Sequence, residues 1–205
     1  MIKWIVFDFD EVISPTTFWY SQLVEDLAKS FPLNKQEAEP FLKEEGGKWF
    51  TNEWNEHQFL REFNKKFRVS IPFEVLDKEL EKGIQPNEEV IEVIKQLKKK
   101  YKIGLLTDNP KFKIEKIMNH PLMKKTIDHP AGSGIYNIRK KSGTEIFEKL
   151  QKDLRVKTSE ILFIDDNPRN CKFAEEAGLQ VISFVLGNNN KERLLNQLKH
   201  AGIQL

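Results

Sequence analysis

The sequence predicts an α/β fold around a central parallel sheet, on three observations. From residue 86 onward, short apolar runs alternate with segments whose apolar residues recur three and four positions apart. The runs at 103–106, 161–164 and 181–185 are almost continuously apolar, as strands buried on both faces are. A further run, Trp4–Phe7, stands apart near the start of the chain and supplies a first strand. Four strands joined by helical crossovers form a doubly wound sheet, in which ligands bind beyond the carboxyl ends of the strands.

Residues 15–85 follow the first strand and contain no strand-like run. Their apolar residues, Phe18, Trp19, Leu23 and Leu27, then Phe59, Leu60, Phe63 and Phe67, keep helical spacing and are rich in aromatics. This region reads as a helical insert that leaves the sheet at its carboxyl edge and can act as a lid there. Residues 1–14 and 86–205 then form the core. Core helices are expected around Val90, Ile94 and Leu97; Ile114, Ile117 and Met118; Ile146, Phe147, Leu150 and Leu154; and Leu194, Leu195 and Leu198. Asn87, Asn109 and Asn167 are candidate N-caps, with Pro110 and Pro168 at the first helical position. Ser142 with Glu145 fits a capping box.

A chain of 205 residues can bury one sizeable core with a smaller lobe. No apolar stretch approaches the roughly 20 residues needed to cross a bilayer, and the chain opens on a strand rather than a signal peptide. A cytoplasmic protein without a membrane partner is expected. The net charge of +2 supplies no large field, so no nucleic-acid partner is expected either. The basic cluster at 98–102 sits where a helix ends, a position that favours cations. A single cysteine, Cys171, excludes an internal disulfide, and His57, His120, His129 and His200 have no metal-ligand spacing. Monomer and homodimer both fit the pattern.

The chemistry is concentrated at strand ends: Asp8 and Asp10, Thr107 and Asp108, and Asp165 and Asp166. Two like charges about 4 Å apart repel by about 4 kcal/mol at an effective dielectric near 20, so converging carboxylates call for a cation. Hard oxygen ligands without clustered His or Cys select Mg²⁺, which commonly also meets a substrate phosphate. Lys141 supplies a positive side chain just before an expected helix start, where backbone N–H groups also favour anions. Thr107 can hydrogen-bond a phosphoryl oxygen without adding charge. Any one of these residues alone fits a solvated or capping role; their ordered occurrence at strand ends points to a site.

These residues resemble the haloacid dehalogenase superfamily, in particular phosphatase-like members with a helical cap inserted after the first motif. Val6-Phe7-Asp8-Phe9-Asp10 is similar to the first motif and Leu105-Leu106-Thr107-Asp108-Asn109 to the second. Lys141, within 139–147, matches the third, and Leu162-Phe163-Ile164-Asp165-Asp166-Asn167 the fourth. The resemblance implies a Rossmann-like three-layer sandwich with a cap, and a Mg²⁺-dependent hydrolase of small phosphorylated metabolites. It implies that Asp8 attacks phosphorus and forms an aspartyl-phosphate, with Asp10 as acid and base. Thr107, Asp108 and Lys141 would meet the substrate. The metal would be held by Asp8, the backbone carbonyl of Asp10 and the fourth motif, chiefly Asp166 with Asp165 adjoining.

Three positions depart from the family pattern. Glu11 replaces the usual Gly, Asp108 stands where many relatives have Asn, and Ser142-Gly143-Thr144 replaces a Pro-rich sequence after the lysine. Choosing Lys141 over Lys140 therefore rests on its distance to Ile146-Phe147. The alternatives are a dehalogenase-type hydrolase, a phosphomutase, a degenerate non-catalytic member, and a phospho-accepting regulatory module. Asp10 argues against the first, because a departing halide needs no proton. In the insert, Trp19, Trp49, Trp54, Lys48 and Arg61 could line a substrate wall, although aromatics in a small helical lobe more often form its core.

Overall fold

Five parallel strands in the order β3-β2-β1-β4-β5 form the centre of the structure, a computed structural model that describes residues 1–15 and 19–205. The chain begins with β1 (Trp4–Phe7) and continues through α1 (Trp19–Ala28), α2 (Lys35–Glu44), α3 (Gly46–Phe50), α4 (Glu56–Phe67) and α5 (Phe73–Lys82). Then follow α6 (Glu88–Leu97), β2 (Lys102–Thr107), α7 (Lys111–Asn119), α8 (Pro121–Thr126), β3 (His129–Gly132) and α9 (Ser133–Tyr136). The remaining elements are α10 (Glu145–Leu154), β4 (Ile161–Asp165), α11 (Pro168–Glu176), β5 (Gln180–Ser183) and α12 (Asn190–His200).

Alternation along the strands builds the three layers, since successive side chains point to opposite faces. Ile5 and Phe7 of β1 pack with Val90, Ile94, Leu194 and Leu198, from α6 and α12. Val6, between them, packs on the other face with Ile146, Phe147 and Leu150 of α10. The same division runs through β2, where Ile103 and Leu105 face one layer and Leu106 the other. The result is the expected Rossmann-like three-layer sandwich.

The sheet has one strand more than the sequence pattern indicated. β3 (His129–Gly132) pairs with β2 alone, at the edge, where a proline such as Pro130 costs no ladder hydrogen bond. Helix starts differ in two places. Asn87 and Asn167 cap their helices by accepting from the N–H groups of Val90 and Arg169. Asn109 does not cap α7, which begins at Lys111, and Pro110 precedes the helix. Ser142 ends a short 3-10 turn, and Thr144 is the residue before α10, its hydroxyl bonded to Glu148.

Helices α1 to α5 lie within residues 15–85 and share an apolar cluster of their own, including Leu23, Leu42, Trp49, Phe59, Phe63 and Leu80. Trp49 is buried and stacks on Phe59 with ring centroids 4.1 Å apart, and Arg61 is exposed. Of the residues considered from the sequence for a substrate wall, Trp49 is therefore core. Phe18 and the side chain of Trp19 lie outside the described residues. Where the helical region leaves and rejoins the sheet, its two connections are stitched together. The Ser14 hydroxyl donates to the Gly83 carbonyl and accepts from the Gln85 N–H, and the Asn87 N–H donates to the Ile13 carbonyl. Among the described residues no helix is long and apolar enough to cross a membrane.

Candidate active site

β1 is the central strand, with Phe7 in register with Leu105 of β2 and Ile164 of β4. One step further, Asp8 leaves the sheet between the ends of its two neighbours, and its N–H donates to the Ile164 carbonyl at 2.8 Å. Thr107 ends β2 and Asp165 ends β4, so the topology alone brings three strand ends to one rim. Asp8, Thr107 and Asp165 are all buried.

One oxygen each of Asp8, Asp165 and Asp166 lies within 4.8 Å of the other two. A lysine joins them, and it is Lys140. Its ammonium is 2.8 Å from Asp8 Oδ1 and 2.6 Å from Asp165 Oδ2, and the side chain is 1% exposed. Lys141, the residue favoured by spacing, is exposed, and its ammonium pKa is held below the usual range chiefly by Arg139 beside it. The reason for the exchange is local. The 3-10 turn 140–142 is anchored by Asp108, whose Oδ1 accepts from the Lys140 N–H at 2.9 Å and whose Oδ2 lies 3.4 Å from Arg139 Nε. That anchor turns residue 140 inward. Arg139 in turn rests over the Phe50 ring of α3, 4.6 Å from its centroid, so the turn is braced from the helical region as well.

Asp108 is thus committed to holding the lysine segment. Asn109 faces the site in its stead: its side-chain amide donates to Asp10 Oδ2 at 2.6 Å and to Thr107 Oγ1 at 2.7 Å. The α9 segment packs so tightly under this turn that a Cβ on Gly134 would lie 2.1 Å from the Lys111 nitrogen, which explains the glycine there. The other Asp10 oxygen, Oδ1, lies 3.3 Å from the ammonium of buried Lys113. The Asp10 side chain is therefore turned toward Asn109 and Lys113 and is not among the three clustered carboxylates. A cavity of about 380 Å³ adjoins Lys113, lined also by Pro15, Leu23, Leu80, Gly83 and Gln85.

The fourth-motif carboxylates differ in what they have left to offer. Asp165 accepts from the Asn167 N–H at 2.8 Å, from the Asn170 amide on both oxygens and from Lys140. Asp166 has none of these donors and is the open member of the pair. Burial pushes the Asp166 carboxyl up to about 6, with Asp165 and Glu11 adding to the rise and Lys140 opposing it. Burial likewise raises Asp8 well above the carboxylate range, reinforced by Asp165 and Asp10 and resisted by Lys140. For Lys140, burial disfavours the charge, yet Asp165, Asp8 and Asp108 outweigh it, so the ammonium is held protonated. Three carboxylates facing one ammonium leave excess negative charge, and the donors are all oxygens, the set a hard cation takes. Glu11 keeps the left-handed backbone, φ 61°, that the usual glycine adopts easily.

Lys140, Asn109, Lys113 and Asn170 were not singled out from the sequence as site residues. For Lys113 and Asn170 a signal existed: each is a polar residue in the apolar phase of its helix, four positions before buried Ile117 and Ala174.

A family model for haloacid dehalogenase-like hydrolases matches residues 2–178. No curated protein matches the chain in sequence. Among solved structures, the chain is similar to a haloacid dehalogenase family enzyme from Bacteroides thetaiotaomicron in complex with magnesium and inorganic phosphate. That pair has a TM-score of 0.80 and 17% identity over 94% of this chain and 99% of the other. A predicted haloacid dehalogenase-like family hydrolase from Porphyromonas gingivalis gives 0.79 and 20% identity, covering 97% and 98%. A 2-haloacid dehalogenase from Pseudomonas syringae pv. Tomato DC3000 gives 0.65 and 14%, covering 98% and 100%. With its motif residues gathered on one rim and a family model spanning most of its length, the chain belongs to the haloacid dehalogenase-like hydrolases.

Proposed function

We propose that the protein is a Mg²⁺-dependent phosphohydrolase of small phosphorylated molecules, with Asp8 as nucleophile. The carrying observation is the pairing of two features: a three-carboxylate cluster around Asp8, and a second motif-one carboxylate, Asp10, held apart from it. A hydrolase that expels halide from carbon needs neither.

The phosphoryl group would sit between Asp8, Thr107 and Lys140, whose hydroxyl and ammonium meet its oxygens. Asp8 attacks phosphorus as the bond to the leaving oxygen breaks, and Asp10 gives that oxygen its proton. Asp10 then takes a proton from water as the water oxygen attacks phosphorus and the bond to Asp8 breaks, which restores the Asp8 carboxylate and the Asp10 acid and releases phosphate. Asp8 and Asp166, with Asp165 adjoining, would hold Mg²⁺, which supplies charge neutralisation for Asp8 and the phosphoryl oxygens. Asp165 keeps Lys140 oriented, and Asn170 keeps Asp165 oriented. Helices α1 to α5 act as the cap, and the cavity beside Lys113 accommodates the alcohol part of the substrate.

A phosphate-release screen over sugar phosphates, nucleotides and phosphoglycolate, run with Mg²⁺ and with EDTA, tests this reading, with 2-haloacids alongside. Release that requires Mg²⁺ and disappears in Asp8→Asn is expected. Halide release that survives EDTA, without phosphate release, would defeat it.

A further inference from the structure

Resting on that phosphohydrolase reading, we propose that Lys113 is a positioning residue that fixes the Asp10 carboxylate in the orientation from which it serves the leaving group. Lys113 is the third residue of α7 and is 1% exposed. Lysine is almost never buried so fully unless paired, because desolvating an ammonium is costly. The acidic partner here is Asp10, its Oδ1 3.3 Å from the ammonium.

The grip is two-sided. Asn109 holds Oδ2 at 2.6 Å while Lys113 faces Oδ1, so rotation of the carboxylate would sacrifice a contact at each oxygen. The two contacts come from one strand-to-helix turn and the helix it opens, so they move as a unit. Asn109 also holds Thr107, which ties the orientation of Asp10 to a residue that faces the phosphoryl group. Lys113 does not share the Lys140 duties: Lys140 pairs with Asp8 and Asp165, on the far side of the motif-one pair. A residue that merely filled this space would be served by Met or Leu, which match the apolar phase of Ile114 and Ile117 around it.

Leaving-group dependence reads out this role. An alkoxide must be protonated as it departs, whereas p-nitrophenolate leaves without a proton, so loss of Asp10 alignment harms the first substrate selectively. The test measures kcat and KM of the parent, Lys113→Met and Lys113→Arg on β-glycerophosphate and p-nitrophenyl phosphate. For Lys113→Met, kcat/KM, which reports the steps through departure of the leaving group and not the later attack of water on the shared aspartyl-phosphate, should fall about a hundredfold on the alkyl ester and less than about tenfold on the aryl ester. Lys113→Arg keeps the charge and should recover part of the alkyl rate; its alkyl-to-aryl ratio also serves if the Met variant does not fold. Equal losses of kcat/KM on both esters in whichever variant folds, or no loss in Lys113→Met, overturn the Lys113 role alone. Failure of the parent to release phosphate from either ester overturns the phosphohydrolase reading, and the Lys113 role with it.

Discussion

The tripeptide Asp-Asn-Pro occurs twice, each time where a parallel strand turns into a helix, and the two copies do opposite things. At 166–168 the asparagine is exposed and caps α11, the proline opens the helix, and the aspartate looks into the site. At 108–110 the asparagine is buried and points to Asp10 and Thr107, while the aspartate is spent on Arg139 and the Lys140 N–H. The helix after this second kind of turn starts one residue later, without a side-chain cap. What separates them is the neighbouring segment: α9 crowds beneath the 108–110 turn and bonds the Asn109 carbonyl through the Gly134 N–H and the Ser133 hydroxyl. Identical local chemistry is thus assigned its duty by tertiary contacts, and a short motif fixes only which groups are available.

Lys140 links the two turns, through its backbone to Asp108 and through its ammonium to Asp165, so removing it should give the largest effect. Lys140→Met leaves Asp8 and Asp165 buried without a counter-charge, and should lower stability by about 3–5 kcal/mol in urea titrations and phosphate release by about 10³-fold. Lys141→Met should stay within about 0.5 kcal/mol of the parent. The asparagines should then part company. Asn109→Ala should reduce kcat about a hundredfold by freeing Asp10, whereas Asn167→Ala should cost about 1 kcal/mol of stability with kcat unchanged. Equal effects on kcat would erase the distinction between the turns.

The aspartates differ in pH dependence. Because burial raises Asp166 to about 6, the metal-free protein keeps a proton there below that pH, and the proton competes with a cation. Mg²⁺ affinity by calorimetry should weaken as pH falls through about 6, and Asp166→Asn should flatten that part of the dependence while leaving the contribution of Asp8, whose carboxyl burial also raises. The smallest effect belongs to Glu11, which adds to the rise at Asp166 behind burial and Asp165. Glu11→Gln should move the onset of weakening to lower pH by less than about one unit.

Much of this was legible from residue order. The four apolar runs became β1, β2, β4 and β5: β1, β2 and β4 because buried strands leave a continuous apolar signature, and β5, at the sheet edge, because Val181 and Ile182 begin the 181–185 run. β3 left none: its four residues, His129-Pro130-Ala131-Gly132, contain no branched or large apolar side chain, unlike the equally short edge strand β5. The convergence of Asp8, Thr107, Asp165 and Asp166 followed from strand ends in a parallel sheet. Lys140 did not, since within Arg139-Lys140-Lys141 every residue is basic and only the Asp108 anchor decides which faces inward. Asn109 was misread as a cap because Asn-Pro is a valid helix start wherever the neighbours permit it.

The Ser14 stitch has a consequence for how such a chain can change over generations. Gln85 returns to Ser14 from 71 positions away, so the excursion between them is closed at its neck by hydrogen bonds that join its last residues to the core. For a closed flexible loop each doubling of length costs only about 0.6 kcal/mol. Insertions and deletions between the stitched ends therefore leave the sheet and its carboxylates in place so long as the Phe50 brace on Arg139 is kept, and recognition can diversify while the reaction chemistry is inherited.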